Sequence, residues 1–185
     1  EAEDVFDGLL ERNLVSWTAM LCAYVEQGKA EKALLLYRHM RNNHEEMHLD
    51  SITFLCVLQS SGITGSLELC EELHFSVISA GYDHISTMQA TLVNTYGSCA
   101  RMEDAQAVLN EMSEPDMVIW NAFLTCNACY SVEAHSFEIL RQEVVELDGV
   151  TFTSILILCC HTGLVREAIE CFESMRRDYG ITPNV

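Results

Sequence analysis

Few residues here combine the type and the spacing that chemistry needs. Cys126-Asn127-Ala128-Cys129 is a CxxC, the half-motif of a zinc site or a redox pair. No second Cys pair or His pair stands at a spacing that would complete a tetrahedral site. Cys159-Cys160-His161 has no partner motif either. His44-Glu45-Glu46 fits the H-x-E half of a zinc deaminase signature, but no P-C-x-x-C follows. A phosphate-binding loop, a dinucleotide fingerprint and a G-x-S-x-G elbow are all absent. The nine cysteines, an odd number without framework spacing, read as small apolar residues of a reducing compartment. The expectation is a chain with no catalysis, no metal site and no cofactor of its own.

What the sequence does hold is recurrence. Leu14-Val15-Ser16-Trp17-Thr18-Ala19-Met20-Leu21 returns as Met117-Val118-Ile119-Trp120-Asn121-Ala122-Phe123-Leu124. Asp50-Ser51-Ile52-Thr53-Phe54 returns as Asp148-Gly149-Val150-Thr151-Phe152. Such repetition fixes architecture before any other signal is read. Aligned on Trp17, Phe54, Gln89, Trp120 and Phe152, the chain divides into units 14–50, 51–85, 86–116, 117–148 and 149–184, with 1–13 as the back half of an earlier unit.

The columns behave as helix faces. Two residues past each anchor stand Ala19, Cys56, Thr91, Ala122 and Ser154, and four past stand Leu21, Leu58, Val93, Leu124 and Leu156. Sixteen past stand Ala33, Cys70, Ala105, Ser136 and Ala168, followed four later by Tyr37, His74, Leu109, Leu140 and Phe172. Spacings of three and four mark one face of a helix. Gly28, Gly65 and Gly163 fall eleven past the anchor, with Ala100 and Ser131 in the other units, and suit a turn between two helices. Each unit therefore predicts helix A, a short turn and helix B, with a small residue on B admitting close approach. Two prolines and nine glycines in 185 residues agree with helix. One hairpin cannot bury its apolar face, whereas stacked hairpins can. The expected fold is all-α: a right-handed α-solenoid of stacked helix-turn-helix repeats. No apolar run is long enough to span a membrane. Glu1 opens mid-pattern, so the chain reads as a piece of a longer protein.

Units of 31 to 37 residues carrying V-x-W-N/T-A-x-L and then A-x-x-x-F-x-x-M resemble pentatricopeptide repeats (PPR). The second halves that match are Ala33-Tyr37-Met40, Ala105-Leu109-Met112 and Ala168-Phe172-Met175. Tetratricopeptide repeats differ in keeping a 34-residue period and a Trp-Leu-Gly-Tyr pattern. The unequal lengths resemble the plant PLS subclass: 14–50 a standard unit, 51–85 long, 86–116 short, 117–148 a degenerate standard unit and 149–184 long.

The resemblance implies single-stranded RNA as partner, bound in mitochondria or chloroplasts at one nucleotide per repeat, in the service of C-to-U editing or other processing. Editing-complex proteins are then possible further partners, while a small-molecule substrate and a membrane are not expected. Any deaminase would lie in a C-terminal domain outside this chain. The resemblance further implies that the residue after the helix A anchor pairs with the last residue of the unit to read a base edge. The pairs are Thr18 with Asp50, Leu55 with Ile85, Ala90 with Asp116, Asn121 with Asp148, and Thr153 with Asn184. By the family's rules Thr18/Asp50 resembles a guanine reader, Asn121/Asp148 a uracil reader and Thr153/Asn184 an adenine reader. Leu55/Ile85 has no hydrogen-bonding group, and Ala90/Asp116 has half of one. Two residues before each anchor, Val15, Ile52, Thr87, Val118 and Val150 would wedge against the base planes.

Each assignment has a simpler rival. The aspartates could be helix N-caps, Thr18 and Asn121 ordinary polar residues of an exposed face, and Val15 and Val118 core. Charge is the departure from the pattern. The chain carries a net −18, and none of its ten basic residues falls in a helix A stretch. Phosphate neutralisation normally supplies much of the affinity for nucleic acid, so weak binding with a shallow salt dependence is expected. The alternative is a helical scaffold that binds protein partners.

Overall fold

The computed structural model describes residues 2–9, 11–43, 47–112, 115–130 and 148–182. Among them every regular element is a helix: α1 (Ala2–Asp7), α2 (Leu14–Glu26), α3 (Ala30–Asn43), α4 (Ser51–Thr64), α5 (Leu67–Ser79), α6 (Ser86–Ser98), α7 (Met102–Asn110), α8 (Met117–Tyr130), α9 (Gly149–Thr162) and α10 (Val165–Arg177). The recurring phrases open α2, α4, α8 and α9.

Local chemistry sets these limits. Asn13 caps α2 by accepting from the Ser16 N–H, while the Ser16 hydroxyl oxygen accepts from the Asn13 N–H, a reciprocal box. Asp50 and Asp148 cap α4 and α9 by accepting from the N–H groups of Thr53 and Thr151. Between the helices of a pair the chain needs one left-handed residue. Gly28, Gly65 and Gly163 supply it at φ of 68°, 67° and 72°. Ala100 occupies the same place at 57°, the one described non-glycine residue with positive φ. The unit with Ala100 in place of glycine thus keeps the turn, against a left-handed penalty of about 1 kcal/mol.

Packing follows from the two walls. α2 lies against α4, α4 against α6, α6 against α8 and α8 against α9. Each of α3, α5 and α7 lies against its own A helix and the next one. The A helices thus form a continuous layer and the B helices fill the grooves behind it. Between the layers sit Trp17, Leu21, Tyr37, Met40, Phe54, Leu58, Leu73, Val93, Leu109 and Leu124, all buried. Ala33, Cys70 and Ala105 are fully buried at the same step of successive B helices, where a larger side chain would hold the walls apart. His74 stands in the column of large residues and bonds through Nδ1 to the Tyr96 hydroxyl at 2.9 Å. The architecture is an all-α solenoid.

Glycine sets the spacing within the A layer. A Cβ on Gly62 would meet Thr95 Cα at 3.3 Å, and one on Gly97 would meet Cys126 Cβ and Sγ at 2.5 Å. These are the α4–α6 and α6–α8 junctions. Cys126, half of the CxxC, is buried in the second of them. The side chain of Cys129 lies outside the described residues, as do Ser131, Ser136 and Leu140.

Candidate nucleic-acid interface

The first turns of the A helices present an ordered set of side chains. Two residues before the anchors, Val15 is 75% exposed, Ile52 53%, Val118 55% and Val150 58%. Thr87 is exposed in the same column. These valines are not core. Four aliphatic side chains standing in solvent at one helical position, on four of the five helices of one layer, form an apolar row of a kind that folding alone does not require.

Behind the row lie the paired positions. Thr18 is buried at 7% exposure, against the expectation of a polar residue on an exposed face, because α4 packs over it. Its Oγ1 lies 2.7 Å from Thr53 Oγ1, and Thr53 donates its hydroxyl to Asp50 Oδ1 at 2.6 Å. Thr18 and Asp50 are thus joined through one intervening hydroxyl. The arrangement recurs at the far end of the layer. Thr151 Oγ1 lies 2.7 Å from Asn121 Oδ1 and 2.7 Å from Asp148 Oδ1. Asn121 is half-buried and Asp148 exposed.

The two middle pairs are not joined in this way. Ala90 is buried and has no polar atom to offer, and Leu55 and Ile85 are half-buried apolar residues. Asp116 accepts from the N–H groups of Val118 and Ile119 at 3.0 and 3.1 Å, and from the Ser86 hydroxyl. Thr153 is exposed and turns its hydroxyl back to the Gly149 carbonyl at 2.8 Å. Asn184, its partner in the sequence pattern, lies outside the described residues.

The aspartates are therefore helix caps, as the simpler reading held. Capping employs one carboxylate oxygen and leaves accepting capacity on the other. At Asp148 the Thr151 N–H holds the carboxyl below the ordinary aspartate range, helped by the Thr151 hydroxyl and the Asn121 side chain and opposed by partial burial.

Thr53 and Thr151 were not singled out by the sequence reading. A signal existed: both stand one residue before the anchor, in the two units that follow a fully polar pair. Farther along α2 and α4 the Cys22 and Cys56 sulfurs lie 2.9 Å apart, and burial first, then the contact with Cys22, pushes the Cys56 thiol up to about 12.

Among the described residues no lysine or arginine lies on this wall. The described basic residues lie on the B helices or in the turns, and most face carboxylates. Lys32 is 2.9 Å from Glu3, Arg101 2.6 Å from Asp104, Arg166 3.1 Å from Glu170, and Arg12 3.3 Å from Asp7. Among the described residues no three His, Cys, Asp or Glu side chains are grouped to share a metal ion. No described helix is long and apolar enough to cross a membrane.

Comparison with known proteins adds the family. The PPR repeat profile matches residues 15–44 and 150–179, the first and last complete hairpins. Over its whole length the chain is 34% identical to the chloroplastic pentatricopeptide repeat-containing protein CRR2 of Arabidopsis thaliana, of which it spans 28%. It is 32% identical over 98% of its length to a mitochondrial pentatricopeptide repeat-containing protein of the same plant, spanning 30% of it. A second chloroplastic member is 31% identical over the whole chain, which spans 23% of that relative. Repeat matches at both ends, continuous similarity between them and a layered stack of helical hairpins place this chain in the pentatricopeptide repeat family.

Proposed function

We propose that the A-helix wall binds single-stranded RNA, one nucleotide per repeat, and that the chain is the site-specifying part of an organellar RNA-editing or RNA-processing factor of the PLS type. The observation that carries this reading is the exposed row of Val15, Ile52, Val118 and Val150 beside polar pairs held at a constant place. Apolar wedges between bases are worth about 1 kcal/mol or more per base and are indifferent to sequence. Selection then falls to Thr18/Asp50 for guanine and Asn121/Asp148 for uracil, with Thr153/Asn184 for adenine. Leu55/Ile85 selects nothing, and Ala90/Asp116 little. Work in a chloroplast or mitochondrion fits the chloroplastic and mitochondrial relatives.

The absence of basic residues from the wall shapes the binding law. Each phosphate neutralised adds about 0.7 to the logarithmic salt slope for single strands, so the slope here should be about 1 or less. Selection from a random single-stranded RNA pool tests the reading. Wild-type protein should enrich uracil at one position, and Asn121→Ala or Asp148→Ala should abolish that enrichment alone. A pool that emerges without base preference would refute it.

A protein-binding scaffold is the second reading. It is favoured by the net charge of −18 and by Leu35, Phe75, Ile169 and Phe172, which stand exposed on B helices. RNA selection by Asn121 variants separates the two, because a scaffold has no use for that amide.

A further inference from the structure

Thr18/Asp50 and Asn121/Asp148, the two fully polar pairs whose members are both described, share a feature that the two middle pairs lack. Each is bridged by a threonine hydroxyl from the next A helix, Thr53 in one case and Thr151 in the other. The same column holds Met88 behind Leu55/Ile85 and Ile119 behind Ala90/Asp116. Neither can bridge. The hydroxyl therefore occurs where there is something to orient and is missing where there is not. It is not needed for capping, because the backbone N–H of Thr53 or Thr151 already donates to the aspartate at 2.8 Å.

Hydrogen-bond polarity gives the bridge a consequence. A carboxylate can only accept, so Thr53 must donate to Asp50. The Thr53 oxygen is then left to accept the hydroxyl hydrogen of Thr18. That hydrogen is committed inside the junction, and Thr18 keeps only lone pairs to offer. Thr18 and Asp50 together become two acceptors. Guanine is the base whose Watson–Crick edge carries two adjacent donors, N1–H and the N2 amine. At the other end Thr151 Oγ1 is 2.7 Å from both Asn121 Oδ1 and Asp148 Oδ1 and has one hydrogen to give. Asp148 already accepts from the Thr151 N–H and from the Asn121 side chain. With the hydroxyl hydrogen given to Asn121 Oδ1, one amine hydrogen of Asn121 serves Asp148 and the second is the outward donor beside that carboxylate. A donor next to an acceptor matches the O4 and N3–H of uracil. One threonine thus yields two different faces, depending on whether its partner is a hydroxyl or an amide.

We propose that Thr53 and Thr151 are positioning residues for base selection: each fixes, through its hydroxyl, which polar atoms of the adjoining pair face the bound base. The inference rests on the RNA-reading function above. Thr18 is buried, so its polarity is set before RNA arrives; Asn121 is more open, and the test is placed there.

The experiment measures binding of the 185-residue chain to four single-stranded RNAs that differ only at the base selected by Asn121. Thr151→Val keeps the volume and loses the hydroxyl, and Thr151→Ser restores it. Loss of one oriented hydrogen bond should cut the preference for uracil about threefold to tenfold. Thr151→Ser should recover most of it, and the affinity for non-preferred bases should move less than twofold. A structural role alone would weaken all four RNAs equally, and that outcome overturns the proposal. So does unchanged selectivity in Thr151→Val when Asn121→Ala loses it. If Asn121→Ala also keeps wild-type selectivity, the reading of RNA by these pairs fails first. Should Thr151→Val not fold, Thr53→Val carries the same test at the guanine position, with the same two overturning outcomes.

Discussion

The junctions within the A layer are of two kinds. At its ends, α2–α4 and α8–α9 are joined by side-chain hydrogen bonds through Thr53 and Thr151. In its middle, α4–α6 and α6–α8 meet through Gly62 and Gly97 with helix backbones close; side-chain bonds there, such as Thr95 Oγ1 to the Leu58 carbonyl and Ser86 to Asp116, do not link the two members of a pair, and the paired positions are apolar or half-apolar. The repeat tolerates both because either one closes the gap between neighbouring helices. A hydroxyl bridge spends that gap on polar groups that can be read from outside. A glycine contact spends it on proximity and leaves at most one polar group of the pair, Asp116, to read. Recognition and rigidity are thus divided among repeats of the same fold.

The largest way to break the comparison lies in the middle. Gly97→Leu places a side chain where even a Cβ would stand 2.5 Å from Cys126. It should cost about 3 kcal/mol, read as a lowered midpoint in denaturant, while uracil preference in the folded fraction is retained. Loss of that preference with stability intact would show the two kinds of junction to be coupled. Ala105→Leu, between the walls, should cost about 1–3 kcal/mol by overpacking; a neutral result would mean that the small column does not set the spacing.

At the outer junction the effect is smaller and depends on pH. Asp148→Ala removes a cap worth about 1 kcal/mol. Because the native Asp148 carboxyl is held below the ordinary aspartate range, its contribution is complete above the unfolded value of about 3.9 and fades as pH falls through the lower folded value. The wild-type and Asp148→Ala stability curves should therefore converge on acidification. Parallel curves would remove the carboxylate from the account. Smallest of all, Ala100→Gly relieves the left-handed turn and should raise stability by no more than about 1 kcal/mol.

Thiol reactivity sharpens the same contrast. Burial pushes Cys70 up to about 12 and Cys171 up to about 11, as it does Cys56, so these thiols stay protonated at neutral pH. Cys160 is exposed on α9 and should be alkylated first among the described cysteines of the native protein. Early labelling of Cys56 would mean that the α2–α4 junction opens.

Much of the fold was legible because the repeat makes its own alignment. Leu21, Leu58, Val93 and Leu124 share a column and share burial, and Gly28, Gly65, Ala100 and Gly163 share one backbone conformation. The site was legible in part. Spacing found the valine row and the pairs, yet it could not tell whether Val15 faced solvent or core, since both suit an aliphatic residue at a helix start. The simpler rival reading set Thr18 on an open face, which its burial under α4 overturns, and no local pattern reports that packing. Thr53 and Thr151 escaped notice for a related reason. Each bonds to a residue some thirty positions upstream, and a contact across repeats leaves no trace in the periodicity of one.

The most direct test is to follow the methyl resonances of the chain while single-stranded RNA is added. The account predicts that the signals of Val15, Ile52, Val118 and Val150 shift together, while those of Leu35 and Ile169 on the B helices stay in place. Shifts confined to the B-helix methyls, or none at saturating RNA, would contradict it.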